Sequence, residues 1–160
     1  MFALLLLACA GSEPGDSAAP VPGDPDYVRD PALDVDLVSA AGGSASHNTG
    51  QACMHCHQAY GPGRGQFTLA GSVYREDGSP ATEGSVQAWA GSYDGGTLLV
   101  EVPIDAYGNF YTTEDIGLPD NAYVPVVLDA AGTVVNQMPW PTESGSCNQC
   151  HTPVARVVLP

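Results

Sequence analysis

From Phe67 onward the chain alternates apolar and polar residues at period two, in short stretches that are β-branched or aromatic and bounded by turn residues. Phe67 to Tyr74, Val86 to Ala90, Leu98 to Pro103, Gly108 to Thr112, Tyr123 to Leu128 and Val134 to Met138 each fit a half-buried strand, and Val154 to Leu159 offers a last one. Between them Arg75-Glu76-Asp77-Gly78-Ser79-Pro80 reads as a turn, and Asp94-Gly95-Gly96 and Ala130-Ala131-Gly132 as hairpin-grade turns. Pro125 cannot donate to a ladder, so its strand is expected at an edge or a bulge. This spacing predicts an all-β fold, a small Ig-like sandwich occupying residues 67–140.

Ahead of residue 67 the pattern changes. Phe2 to Ala8 is an apolar run too short to span a bilayer as a helix, so residues 1–8 are expected to be a signal peptide. Gly11 to about Ala41 turns to Pro, Gly, Ser, Ala and acid, which predicts a solvated tether over residues 9–41. Leu33-Asp34-Val35-Asp36-Leu37-Val38 alternates weakly and leaves open an edge strand docked on the body. In the Gly- and Ser-rich segment 42–66, a short helical turn is expected over Cys53 to Gln58, ended by Gly61-Pro62-Gly63. Residues 141–160 form a tail carrying the last strand.

Charge narrows the range of partners. Eighteen Asp and Glu stand against four Arg and no Lys, a net charge of -14, which argues against nucleic acid or anionic lipid. Glu13, Asp16, Asp24, Asp26, Asp30, Asp34 and Asp36 all fall in the first quarter, so part of the imbalance belongs to the tether.

The candidate chemistry lies in two matching pentapeptides. Cys53-Met54-His55-Cys56-His57 and Cys147-Asn148-Gln149-Cys150-His151 share the spacing C-x-x-C-H and differ in filler. This is the pattern that holds a c-type haem: two thiols add to the two vinyl groups, and the adjacent imidazole becomes the proximal ligand of iron. Two copies predict two covalently bound c-type haems, attached at Cys53, Cys56, Cys147 and Cys150 and ligated by His57 and His151. A four-cysteine zinc site and a pair of disulfides or redox thiols are the rivals. With 4 His in 160 positions, a histidine after both pairs is roughly a one-in-1,600 coincidence, and neither rival explains it.

Two histidines remain, His47 and His55, as candidates for the sixth iron ligands; the plainer role for each is a solvated loop histidine. His55 sits inside its own motif, so it is expected to serve the other haem. Met138 and Met54 are the runners-up. Arg64 and Arg156 each follow a motif by a few residues and can pair with haem propionates, a surface salt bridge being the plainer role. Tyr60, Phe67, Trp89 and Trp140 are candidates for porphyrin walls. Each motif also precedes a strand. If those two strands are parallel neighbours, both haems lie at one end of the sandwich.

Three resemblances extend these readings. Leu6-Leu7-Ala8-Cys9 resembles the lipobox of bacterial lipoproteins, which implies cleavage before Cys9 and lipidation of its thiol, although no Lys or Arg precedes Arg29. It implies a body outside the cytoplasm, periplasmic or at the cell surface, anchored to the outer membrane. Residues 67 to 138 resemble the carboxypeptidase regulatory-like, transthyretin-like β-sandwich family. The likeness rests on Gly71-Ser72-Val73, Asp77-Gly78-Ser79-Pro80, Gly84-Ser85-Val86, Asp105-Ala106-Tyr107-Gly108-Asn109-Phe110 and Asn121-Ala122-Tyr123-Val124, and implies a scaffold. The paired motifs resemble those of multihaem c-type cytochromes. That likeness implies bis-histidine ligation and one-electron exchange with redox partner proteins or an extracellular acceptor, with homo-oligomers or filaments as an assembly to test. A haem enzyme with an open iron site, a peroxidase or reductase, is the first alternative. A zinc-stapled binding module using Trp89 and Tyr93 is the second.

Overall fold

The computed structural model describes residues 26–160 together with Val21, Pro22 and Asp24; Cys9, the signal segment and the start of the tether lie outside the described residues. Seven strands are present: β1 (Leu69–Arg75), β2 (Ser85–Ala90), β3 (Thr97–Pro103), β4 (Asn109–Thr112), β5 (Tyr123–Leu128), β6 (Val134–Gln137) and β7 (Val157–Leu159). They form two sheets, of order β4-β1-β7 and β3-β2-β5-β6, so the architecture is an all-β sandwich. Among the described residues helix is confined to single turns at Pro31–Leu33, Cys53–His55 and α1 (Cys147–Cys150). Every strand predicted from the pattern is found, with ends shifted by a few residues.

The alternation decides which residues meet. Leu69 and Val73 of β1, Phe110 of β4, Val86 of β2, Val102 of β3, and Tyr123 and Val127 of β5 form one core between the sheets, each fully buried aliphatic side chain contributing on the order of 1.5–3 kcal/mol. Val124, Val126 and Leu128 point the other way and are covered by Trp89 and Tyr93 on the outer face of the larger sheet, the two rings edge-to-face at 5.3 Å.

Pro125 is not on an edge strand: β5 lies between β2 and β6. In an antiparallel strand a residue's N–H and C=O point to the same neighbour. The Pro125 carbonyl accepts from Met138 N at 3.1 Å, beyond the last β6 residue. Its missing donor therefore faces the point where the β6 ladder has ended, and no bond to β2 is lost.

The chain also joins the body earlier than composition predicts. Leu33, Val35, Leu37 and Ser39 turn inward while Asp34, Asp36 and Val38 stay exposed. Val38 bridges Thr112 antiparallel, Thr113 N donates to Leu37 O at 2.9 Å and Ser39 N to Tyr111 O at 2.9 Å. Residues 37–39 thus cover the β4 edge in the way the weak alternation allowed. Acid content does not oppose this, because the carboxylates all lie on the solvent face.

β1 and β7 are parallel neighbours, in register Val73↔Val157, Tyr74↔Val158 and Arg75↔Leu159. Upstream, Ser146 pairs with Ala70 in the same parallel sense. The second pentapeptide is therefore looped out of a strand that starts and resumes along β1. The first pentapeptide lies just ahead of β1, His57 O accepting from Phe67 N at 3.0 Å.

Candidate functional site

The two motifs fold alike despite their different filler. His57 N donates to Cys53 O at 3.1 Å and His151 N to Cys147 O at 2.8 Å, closing one helical turn in each. Cysteines three apart on such a turn face the same side. Cys53 Sγ lies 3.5 Å from Gln51 O and Cys147 Sγ 3.9 Å from Gly145 O, each the carbonyl two residues back. All four thiols are free.

The histidines are locked in the same way. His57 Nδ1 lies 2.8 Å from Arg64 O, and His151 Nδ1 lies 2.9 Å from Ala155 O. A carbonyl can only accept, so Nδ1 carries the proton in both rings and Nε2 keeps its lone pair. No hydrogen bond among the described residues uses either Nε2. This is the arrangement by which a carbonyl bonded to the far side of the ring orients an imidazole ligand and raises its basicity. Phe67 stacks on the His57 ring at 4.1 Å and 4°, and Tyr111 stacks behind Phe67 at 4.8 Å. Burial lowers the His57 pKa, with the Arg64 carbonyl opposing, which keeps the ring in its neutral, ligating form.

The loop after the first motif is held by a residue that composition assigned to the tether. Arg29, only 9% exposed, donates to the carbonyls of Gln58, Gly61, Gly63 and Leu33 and pairs with Asp34 at 2.7 Å. The loop lies close on the motif. A Cβ on Gly63 would come within 2.8 Å of both Cys56 O and the His57 ring, so only glycine fits there.

Each motif opens onto its own cavity, and the two cavities share no lining residue. The first, about 620 Å³, receives Cys53, Cys56 and His57 together with His47, His55 and Arg64. The second, about 340 Å³, runs between the sheets past Phe110 and Tyr123 and receives Cys147, Cys150, His151 and Arg156. Both fall in the ~300–1,000 Å³ range of cofactor sites. Arg64 and Arg156 make no ion pair among the described residues, whereas Arg29 and Arg75 are paired with Asp34 and Glu83. In a chain with such an excess of acid, the two unpaired guanidiniums stand one at each cavity. Arg156 also lies over the Tyr74 ring at 4.8 Å.

His47 stands beside the first site, its ring centroid 5.9 Å from that of His57 and tilted 38° to it. His55 faces this same cavity and not the second, contrary to its expected service to the other haem. Met138 lines the second cavity. Met54 lines neither and packs toward Gly145. Of the aromatic candidates only Phe67 lines a cavity; Tyr60 and Trp140 are exposed, and Trp89 belongs to the outer cluster.

Burial pushes the Cys147 thiol up to about 12, and burial likewise raises Cys53. Such thiols are poor thiolate nucleophiles. A thioether is uncharged and loses nothing by the same burial. Among the described residues no group of three His, Cys, Asp or Glu side chains gathers as a metal site. A four-thiolate zinc centre needs four converging protein donors, whereas a haem iron asks the protein for one or two. No family model, curated protein or solved structure matches the chain.

Proposed function

We propose that the chain is a dihaem c-type cytochrome working outside the cytoplasm, a carrier of single electrons on a transthyretin-like sandwich scaffold. The observation that carries this reading is the repeated histidine lock: in both motifs Nδ1 is tied to a carbonyl, and Nε2 is free beside a cofactor-sized cavity that also receives two free thiols.

When bound, haem supplies an iron that cycles between ferric and ferrous states. The chain's own groups hold and tune it. Cys53 and Cys56 would hold the group at the first site and Cys147 and Cys150 at the second, as thioethers that would arise by addition of each S–H across a vinyl C=C, the sulfur on one carbon and the proton on the other. His57 and His151 ligate through Nε2. His47 is the distal candidate at the first site and Met138 at the second. Arg64 and Arg156 stand where they can pair with propionates. Leu37, Phe67 and Tyr111 around the first cavity and Phe110, Tyr123 and Val157 around the second exclude water, which tunes potential. If His47 and Met138 also held the iron, neither site would keep a position for substrate, which would favour electron transfer over catalysis. Cys9 is the proposed lipid anchor, and the partners are redox proteins or an extracellular acceptor, with haem-to-haem contact between copies as the proposed route to oligomers.

Spectroelectrochemical titration of the haem-loaded chain tests the reading. Two reversible one-electron steps and slow cyanide binding by the ferric form are expected. Fast cyanide binding with peroxide turnover would instead identify an enzyme with an open iron site.

A further inference from the structure

The second motif holds more than its own site. Asn148, one of its filler residues, is only 6% exposed although polar, and it uses both ends of its amide. Its Oδ1 accepts from Ser72 N at 3.0 Å, taking the edge bond of β1 at the place where the looped-out strand has left the ladder. Its Nδ2 donates to Gln51 O at 2.8 Å and to Ser72 Oγ at 2.9 Å. Ser72 Oγ accepts from Gly50 N at 2.9 Å and donates to Asn109 Oδ1 at 2.7 Å. Asn109, 3% exposed, turns its Nδ2 to Ser46 Oγ, His47 O and Thr49 Oγ1 at 2.9 to 3.3 Å. The network thus begins inside the second pentapeptide and ends on residues 46–51, at the main chain of His47, Gly50 and Gln51 and the hydroxyls of Ser46 and Thr49, the segment that leads into Cys53.

We infer that Asn148 is a positioning residue for the first site, holding the His47 loop from within the second motif, so that the distal side of one haem depends on the fold of the other's attachment turn. This rests on the dihaem reading above. In a buried chain of hydrogen bonds, a reversed polarity at one member leaves others unpaired. Asn148→Asp keeps the shape of the side chain and replaces its donor by an acceptor facing Gln51 O and Ser72 Oγ. The first site should then open while the second, whose thiols and His151 are untouched, keeps its ligands.

The experiment measures cyanide association and the ferric spectrum of each haem, together with amide hydrogen exchange at Gly50 and Ser72, in the haem-loaded protein. In Asn148→Asp, cyanide binding at the first site is expected to speed up about tenfold, the factor one ordinary hydrogen bond commands. Exchange at both amides should rise, and the second haem should be unchanged. Asn109→Ala, outside both motifs, should reproduce the effect, while Gln149→Ala, whose side chain is exposed and unbonded, should not. An unaltered first site in Asn148→Asp, or a change confined to the second, overturns the inference. Should Asn148→Asp fail to fold, Asn148→Ser, which removes the amide without burying a charge, decides by the same readouts. A wild-type chain with fewer than two haems removes the dihaem reading and this inference with it, an outcome separate from two attached haems with no coupling.

Discussion

Replacing Arg29 by alanine probes how the N-terminal strap and the first site are joined. The guanidinium is buried and donates to one fully buried carbonyl, Gly61, and to the partly buried carbonyls of Gln58, Gly63 and Leu33. A buried bond from a charged donor contributes about 1.5–3 kcal/mol, and a partly solvated one about 0.5–1 kcal/mol. The solvated Asp34 carboxylate is left out of this estimate. Allowing for water entering the gap, Arg29→Ala should cost about 3–4 kcal/mol, which for a chain of this length lowers Tm by roughly 10 °C. Arg29→Lys should recover only part, because an ammonium cannot reproduce the planar fork that reaches several carbonyls at once. The assay is thermal and urea unfolding followed by circular dichroism, with the spectrum of each haem recorded in the loaded protein. The loop Arg29 grips carries Arg64 O, so loosened ligation is expected at the His57 site alone. A loss below about 1 kcal/mol, or equal disturbance of both haems, would refute the reasoning.

Other outcomes follow from single contacts. Gly63→Ala places a methyl within 2.8 Å of Cys56 O and the His57 ring; overpacking of this kind costs about 1–3 kcal/mol, and mass spectrometry should show reduced haem occupancy at the first motif only. Gly71→Ala drives a Cβ to 2.6 Å from Phe110 Cζ and 2.8 Å from Cys147 Cβ, so it should lower melting temperature and disturb the second haem's spectrum, leaving the first intact. Met138→Ala should lower the potential of the second haem, since a thioether ligand raises it; an unchanged potential would make Met138 a packing residue. In the haem-free chain, the lowered His57 pKa means the unfolded state binds the proton more readily. The contribution of this ring to stability is therefore full above about 6.5 and is lost as pH falls toward the lower folded value. Urea midpoints between pH 7.5 and 5 should show this slope, and His57→Asn should flatten it.

The sandwich was legible because its signal is local. Period two in a stretch such as Val100-Glu101-Val102, or a short apolar β-branched run such as Tyr123 to Leu128, identifies a strand wherever it packs, and the C-x-x-C-H spacing singles out the four thiols and His57 and His151 from chain distance alone. Pro125 misled because its cost depends on which neighbour its missing N–H faces, and the sequence does not state where β6 ends. Arg29 was hidden for a different reason. Its partners are carbonyls, which every residue has, so its only mark in the sequence was being the first basic residue after a run of acids. The strap at residues 33–39 was half visible: its alternation is real, but composition averaged the inward Leu33, Val35 and Leu37 together with the outward acids. Asn148 could not be singled out at all, since the C-x-x-C-H pattern leaves its filler positions open and its partners Ser72 and Gln51 lie far off in the chain. The division of His47 and His55 from Met138 between two cavities likewise depends on packing that no local pattern encodes.

The proposed function requires two haems bound covalently through the two pentapeptides. Its most direct test is mass spectrometry of the denatured chain, expressed with a haem-attachment system, intact and after proteolysis. Two haems per chain are predicted, one on the peptide carrying Cys53 and Cys56 and one on the peptide carrying Cys147 and Cys150. A colourless chain with unmodified cysteines, or one that copurifies with zinc, would contradict it.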